Sequence, residues 1–373
     1  HVNAVAVGEP ELICGLVCEA IEKGKSLDDV PGIILESEGE VRKTTDAPYP
    51  ELDILSPPDR EAINIDRFIQ DTYFAKRSTE ILTTRGCPIN CSFCFGARDS
   101  KRNQYNTGPY YRRVPPERVM EEVDLLYHKW GVRGIKFTDI EFCISKSHIT
   151  QICNLLLARG YKDLFWRAVT RVTSLDSDLP KLMYEAGCRS IYYGVESGDE
   201  KILQSMGKDI TLDQVRETFD QTWKAGIKPE ASFLLGVHGD TEETIERTIR
   251  FACELNPFLA TFHVFMPYPG ILMEDSFDHV PNVDLDQWDV YQQNVQQSYC
   301  EISPEKLAGL AKKAYRRFYF RPTYLTRFLK SIDSNMVHFI IGAIKGRNEG
   351  AIIRNLYFKN MFDKNRKILA EKN

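Results

Sequence analysis

The sequence predicts an α/β fold on a parallel sheet, either an open wound sheet or a partial barrel. Three observations predict it. From Ser78 to Gly270, six apolar strand-like runs alternate with helix-like or loop segments. Alternation of this kind requires parallel strands joined by crossovers. The helical runs, 10 to 16 residues long, carry their own punctuation: PERVMEEVDLLYHKWG opens on Pro115 and Pro116 and closes on Gly131. Finally, 373 residues with 43% hydrophobic and 27% charged side chains make a chain that buries a real core.

Taken in order, VNAVAVGEPELICGLVCEAIEKG reads as a strand, a turn at Gly8 and a helix ended by Gly24. PGIILESEGEVRKT reads as a hairpin, with Ile33 to Leu35 and Val41 to Thr44 flanking a Glu-Gly turn. DAPYPELDILSPPDR, from Asp46 to Arg60, is a Pro-rich linker. STEILTTRG is then a strand that ends at a cysteine-bearing loop. GIKFTDIEF, LFWRAVTRV, SIYYGVES, ASFLLGV and ATFHVFMPYPG follow as strands, separated by helices such as HITQICNLLLARG, LPKLMYEAG, TLDQVRETFDQTWKAG and TEETIERTIRFACEL. From Ser303 the chain reads as basic helices: PEKLAGLAKKAYRRFYF, PTYLTRFLKSI and NMVHFIIGAIKG. The expected parts are 1–45, a linker over 46–76, the alternating core over 77–290 and a helical basic region over 291–373.

No apolar run approaches the roughly 20 residues that span a bilayer; the longest, Met336 to Ile344, carries a His. No signal peptide is visible, so a cytosolic protein is expected. The chain starts with His1 directly before a strand, which suggests that sequence upstream is missing. The net charge of −5 conceals an asymmetry: Glu305 to Asn373 holds 16 Lys and Arg against 5 Asp and Glu, a net +11, leaving −16 elsewhere. Such a tail suits solvent, or anionic lipid with YLTRFL and MVHFIIGAI as the apolar side. Nucleic acid is not expected, because no stacking platform accompanies the charge.

The ten cysteines are read as reduced thiols. Seven are scattered among apolar neighbours, where buried small hydrophobes are expected; Cys14 and Cys18 share one helix face and read as helix core. The other three lie in TTRGCPINCSFCFG, as Cys87, Cys91 and Cys94 with the spacing C-x3-C-x2-C. Structural zinc wants four ligands, usually as two pairs. Here the other candidates, His128, Cys143 and His148, lie at least one helix away. Three thiolates with one vacancy suit an iron–sulfur cluster with one open iron. In open or closed parallel sheets, ligands gather at the carboxyl ends of strands, where this loop sits.

Cys-x3-Cys-x-Phe-Cys resembles the cluster loop of the radical S-adenosylmethionine (SAM) superfamily. The resemblance implies a partial (β/α)6 TIM-type barrel and a [4Fe–4S] cluster on Cys87, Cys91 and Cys94. SAM would occupy the open iron and be cleaved to a 5′-deoxyadenosyl radical. It places Phe93 near the adenine and the second strand's FTDIEF, with Asp139 and Glu141, near the SAM amino group; Asp139 reads equally well as a helix cap. GVES places Glu196 and Ser197 near the ribose, Lys208 near the SAM carboxylate and Arg171 as a further candidate that a salt bridge explains as well. LLGVHGDTEET is similar to the fifth-strand turn, with His238 where Pro is usual.

A narrower resemblance is to the B12-binding group of that superfamily, carried by VNAVAVGEPE, PGIIL, LDILSPPDR, PYPG at 267–270 and RRFYFRP at 316–322. It implies that 1–45 is the end of a cobalamin domain. Cobalamin is thus an allowed cofactor, although its D-x-H-x-x-G motif and any Gly-Gly are absent from the chain. The expected activity is methylation of an unactivated carbon. The alternatives are a radical SAM cyclase or oxidoreductase without methyl transfer, and a zinc-stapled binding module. Expected partners are a small-molecule substrate, a hydrophobic one being allowed, and a reductant such as flavodoxin or ferredoxin, with peripheral membrane contact also allowed. Tyr268, in the loop after the last strand, is the single substrate-side candidate.

Overall fold

The computed structural model of the chain describes residues 3–37, 39–99, 106–176, 178–268, 270–273, 276 and 298–344. The Glu38 side of the hairpin turn, Pro269 of PYPG, the core's expected end up to 290 and the basic tail beyond 344 lie outside the described residues.

At the N-terminus, β1 (Ala4–Ala6), β2 (Ile33–Ser37) and β3 (Glu40–Lys43) form an antiparallel sheet in that order. Helix α1 (Pro10–Glu22) buries Ile13 and Ala20 in a small core with Ile33, Leu35 and Ala47. Cys14 and Cys18 are exposed, which corrects the expectation of a helix core. The reason is angular: the 3.6-residue period places Ile13, Val17 and Ala20 on the covered side, so positions 14 and 18 turn away.

The linker contributes β4 (Ala47–Pro48), and the core begins with β5 (Ser78–Ile81) and β6 (Thr84–Arg85). The cysteine loop returns through β7 (Asn106–Thr107), paired with β4, and β8 (Arg112–Arg113), paired antiparallel with β6. Then come α2 (Pro116–His128), β9 (Gly134–Phe137), α3 (Lys146–Arg159), β10 (Phe165–Arg171), α4 (Leu179–Glu185) and β11 (Cys188–Glu196). After these follow α5 (Glu200–Ser205), α6 (Leu212–Lys224), β12 (Lys228–Leu235), α7 (Glu242–Leu255) and β13 (Leu259–Val264).

Strands β5, β9, β10, β11, β12 and β13 form one six-stranded sheet in chain order, every pair parallel. Sequential order with helical crossovers curls the sheet into the partial barrel that the sequence predicts. One face carries Phe137, Trp166, Ile191, Tyr193, Phe233 and Phe262, buried in the main core. Residues alternating with these face the lumen, and many are polar. At its amino end the lumen is closed by Glu230, 4% exposed, which receives Ser190 Oγ at 2.5 Å, Arg167 Nε at 2.9 Å and the Tyr73 hydroxyl. The carboxyl ends stay free for chemistry. GIKFTDIEF is a strand only to Phe137, because Asp139 is drawn off to the backbone before the cysteine loop.

The C-terminal region is helical as expected, with α8 (Pro304–Tyr319), α9 (Pro322–Lys330) and α10 (Ser334–Ile344). Leu307, Ala314 and Phe318 of α8 enter the main core, and Met336 of α10 packs with Tyr73, Phe74 and Phe258.

Candidate active site

The cysteine loop is built as an excursion with a pinned neck. Beyond β6 the chain turns at Gly86, whose φ of 81° suits glycine, and a Cβ there would lie 2.3 Å from the Tyr110 carbonyl oxygen. Within the loop, Cys94 N–H donates to the Cys91 carbonyl at 3.0 Å and Ala97 N–H to that of Cys94 at 3.1 Å, winding two consecutive turns. Two outside segments hold its centre. Ser92 N–H donates to the Met206 carbonyl at 2.9 Å, and the Ser92 carbonyl accepts from Met273 N–H at 3.0 Å.

Cys87 and Cys91 are buried and Cys94 is half-buried. Burial, with help from Glu141 and the neighbouring thiols, pushes the Cys87 thiol up to about 11. Burial first, then Cys91 and Glu196, also raises Cys94, while Lys208 opposes the shift. All three are therefore within electrostatic reach of one another. Metal coordination deprotonates such thiols outright. Among the described residues, no three His, Cys, Asp or Glu side chains gather tightly enough for a single ion. A cubane spreads its thiolates over separate irons, so this wider arrangement is compatible with one.

Beside Cys94 stand three of the sequence candidates. Lys208 Nζ donates to Glu196 Oε1 at 3.0 Å, with both side chains nearly buried, and lies 6.0 Å from the Phe93 ring centre. Gly194 makes room for this pair, since a Cβ there would come within 2.4 Å of Glu196 Oε1 and 2.9 Å of Lys208 Nζ. Glu196 itself holds φ at 70°, a left-handed backbone, where the strand bulges beyond Gly194.

Asp139 is not a helix cap. Its Oδ1 accepts from Thr83 N–H at 2.9 Å, Thr83 Oγ1 at 3.1 Å, Thr84 Oγ1 at 2.6 Å and Thr84 N–H, tying the second strand's end to the start of the cysteine loop. Its Oδ2 is buried and has no partner among the described residues. Burial raises its carboxyl above the usual range, against those bonds. Glu141 is engaged by Thr170 Oγ1, Ser174 and the amides of Cys143 and Arg171, and burial likewise raises it. Arg171 donates from Nη1 to Cys91 Sγ at 3.1 Å. Ser197 Oγ shares a hydrogen bond with Thr248 Oγ1 and accepts from Asp199 N–H, so its hydroxyl serves the start of α5. His238 lies exposed on its turn, which Asp240 closes by accepting from Gly236 and Val237 N–H. Tyr268 is half-exposed at the rim, its ring 5.6 Å from that of Phe95 in the cysteine loop.

Sequence reasoning did not single out Thr83 and Thr84, whose cradle for Asp139 was legible only as two hydroxyl residues before Arg85. It also passed over His263, on the lumen-facing register of β13, whose imidazole burial holds below its usual value while Glu196 opposes.

The sequence profile of the radical SAM superfamily matches residues 81–252, which holds all three cysteines and every site residue above except His263 and Tyr268. An uncharacterised methyltransferase of Pyrococcus horikoshii is 30% identical over 356 residues, covering 92% of this chain and 72% of that protein. An anaerobic magnesium-protoporphyrin IX monomethyl ester cyclase of Rubrivivax gelatinosus is 25% identical, covering 99% of this chain and 68% of its own. A radical SAM methyltransferase from Kitasatospora setae, solved with cobalamin and a [4Fe–4S] cluster, superposes with a TM-score of 0.61 at 20% identity, over 73% of this chain and 54% of that one. The chain belongs to the radical SAM superfamily. It is accordingly an enzyme of the [4Fe–4S] and SAM type, and the donor set at Cys87, Cys91 and Cys94 fits that cluster. The chain spans about half of the solved structure and about half of several other curated relatives.

Proposed function

We propose that this chain is the catalytic part of an enzyme that methylates an unactivated carbon in a cobalamin-linked reaction. The observation that carries the reading is the buried Glu196–Lys208 pair with the half-buried Phe93 ring, beside Cys94, in a chain aligned over 92% of its length with a relative named as a methyltransferase. When bound, the cluster and SAM supply a 5′-deoxyadenosyl radical that abstracts hydrogen from substrate. The protein's part is positional. Phe93 offers an aromatic face for adenine, Glu196 an acceptor for ribose hydroxyls and Lys208 a cation for the SAM carboxylate. The unpartnered Oδ2 of Asp139 and the carboxylate of Glu141 are acceptors for the SAM amino group. The closed amino end of the barrel keeps water from reaching the lumen from below. Tyr268 at the rim is the substrate-side group. The D-x-H-x-x-G corrin motif does not occur in this chain, so none of the residues named above is assigned to the corrin.

The parts proposed are 1–45 as the end of a cobalamin domain, 46–76 as linker, 77–290 as barrel and 291–373 as an accessory helical region. A low-potential electron donor such as flavodoxin or ferredoxin serves the cluster, and the cytosol is the proposed compartment. The tests begin with anaerobic reconstitution. SAM cleavage to 5′-deoxyadenosine is expected from the native chain and is expected to vanish in Cys91→Ala. Methylation further requires S-adenosylhomocysteine to appear together with 5′-deoxyadenosine; 5′-deoxyadenosine alone, with an altered product, favours the cyclase reading, which the Rubrivivax relative supports.

A hydrophobic substrate at an anionic lipid surface extends the same reading. Leu325, Leu329, Ile332, Val337 and Ile341 are exposed on and between α9 and α10, within the region of net positive charge. No helix of the described residues is long and apolar enough to cross a membrane. Cosedimentation with phosphatidylglycerol vesicles is expected for the native chain and is expected to weaken in Leu325→Asp/Leu329→Asp; an intact chain that never sediments removes the idea.

A further inference from the structure

Arg171 occupies the last position of β10, paired in register with Gly194 of β11. Its amide donates to Glu141, so its backbone is anchored on two sides. Arg171 is 9% exposed, and among the described residues its guanidinium forms no ion pair with a carboxylate. A buried cation without a counter-charge is costly. The group it does meet is the Sγ of Cys91, at 3.1 Å, in a geometry that donates N–H to sulfur. Arg171 also borders a cavity of about 750 Å3 that touches Ile89, Lys146, Asp176 and Asp209.

We infer that Arg171 sets the reduction potential of the cluster through its hydrogen bond to Cys91, rather than serving SAM as a ligand. This rests on the three cysteines holding a [4Fe–4S] cluster. A thiolate ligand is the missing counter-charge that the buried guanidinium lacks. Hydrogen bonds to cluster sulfurs and nearby positive charge favour the reduced, more negative state, so the N–H···S bond raises the midpoint potential. The bond is pre-formed by strand pairing, so it acts in the resting enzyme before SAM arrives. Arg171 is a positioning residue by this account, acting on electrons through Cys91.

The test is a redox titration of reconstituted protein, without SAM, followed by the electron paramagnetic resonance of the reduced cluster. In Arg171→Met the midpoint is expected to shift to more negative potential with iron and sulfide content unchanged. Arg171→Lys, which keeps charge but loses the planar fork, is expected to fall between. Lys146→Met, which removes an exposed cation from the same cavity, is expected to match the native chain. A midpoint unchanged in Arg171→Met, or moved as far in Lys146→Met, overturns the inference. Should Arg171→Met fail to assemble a cluster, native protein carrying 15N-arginine supplies an independent readout. A 15N hyperfine coupling to the reduced cluster is expected, and its absence overturns the inference. If native protein itself holds no cluster, the underlying reading fails instead.

Discussion

At the residue scale, the barrel divides its charged groups between its two ends. Glu230 closes the amino end because every acceptor is used: Tyr73, Ser190 and Arg167 all converge on it. Residues conserving geometry at that end serve stability, whereas groups at the carboxyl ends serve chemistry. Burial and the Glu230 carboxylate together hold the Tyr73 hydroxyl well above its ordinary range, so it remains a donor. Replacing Glu230 with Gln leaves Arg167 without its counter-charge, and the fold is expected to lose about 3 kcal/mol. Urea unfolding monitored by circular dichroism reads this, and an unchanged midpoint would contradict the role given to Glu230. At the other end, Asp139 keeps Oδ2 unpartnered among the described residues and Glu196 accepts a strained backbone, the kind of local cost that functional sites carry.

At the element scale, the last strand of the sheet needs a cover. An open sheet has two edge strands with unpaired amides and carbonyls, here β5 and β13, and it is β13 that the C-terminal helices cover. Tyrosines of α8 and α9 supply the partners. Tyr319 Oη lies 2.8 Å from the Ala260 carbonyl and 3.1 Å from its N–H, Tyr315 Oη serves Phe262 at 3.3 and 3.0 Å, and Tyr324 donates to the Phe258 carbonyl at 3.3 Å. Helix α8 thus acts as a seventh, non-strand neighbour. Tyr319→Phe keeps the ring and removes the hydroxyl, and is expected to cost about 1–3 kcal/mol. Hydrogen exchange should then quicken at the Ala260 amide before it quickens at Ala231 in the sheet interior. Equal protection at both amides would show that the hydroxyls do not guard the edge.

At the scale of the whole molecule, the N-terminal unit and the cluster loop are clamped at one point. Glu9, at the start of α1, receives Arg85 of β6 at 2.6 Å and Arg112 of β8 at 3.1 Å, while Arg85 also reaches Glu11 and Arg112 the Pro50 carbonyl. Those two strands form the neck of the cysteine loop, so the clamp joins the loop to the preceding unit. Glu9 consequently offers no side-chain cap to its own helix. Glu9→Gln is expected to cost about 3 kcal/mol, because Arg112 is nearly buried. Limited proteolysis should open the 46–76 linker faster in that variant while the barrel core stays resistant; an unaltered cleavage rate would place the coupling elsewhere.

The sequence by itself determined the cysteine loop, the six alternating strands and the helical C-terminal region, because hydrophobic period, caps and short-range spacing are local properties. It also brought Phe93, Glu196 and Lys208 into view, through short motifs, and these the fold sets side by side. What it left open needed contacts between distant positions. Whether Asp139 capped a helix or faced a ligand depended on Thr83 and Thr84, 56 and 55 positions away. The exposure of Cys14 and Cys18 depended on which side of α1 the small sheet covers. The meeting of Arg171 with Cys91, 80 positions apart, follows from parallel strands that carry their carboxyl ends to one rim. Local pattern specifies elements; only the closing of the sheet decides which side chains share a site.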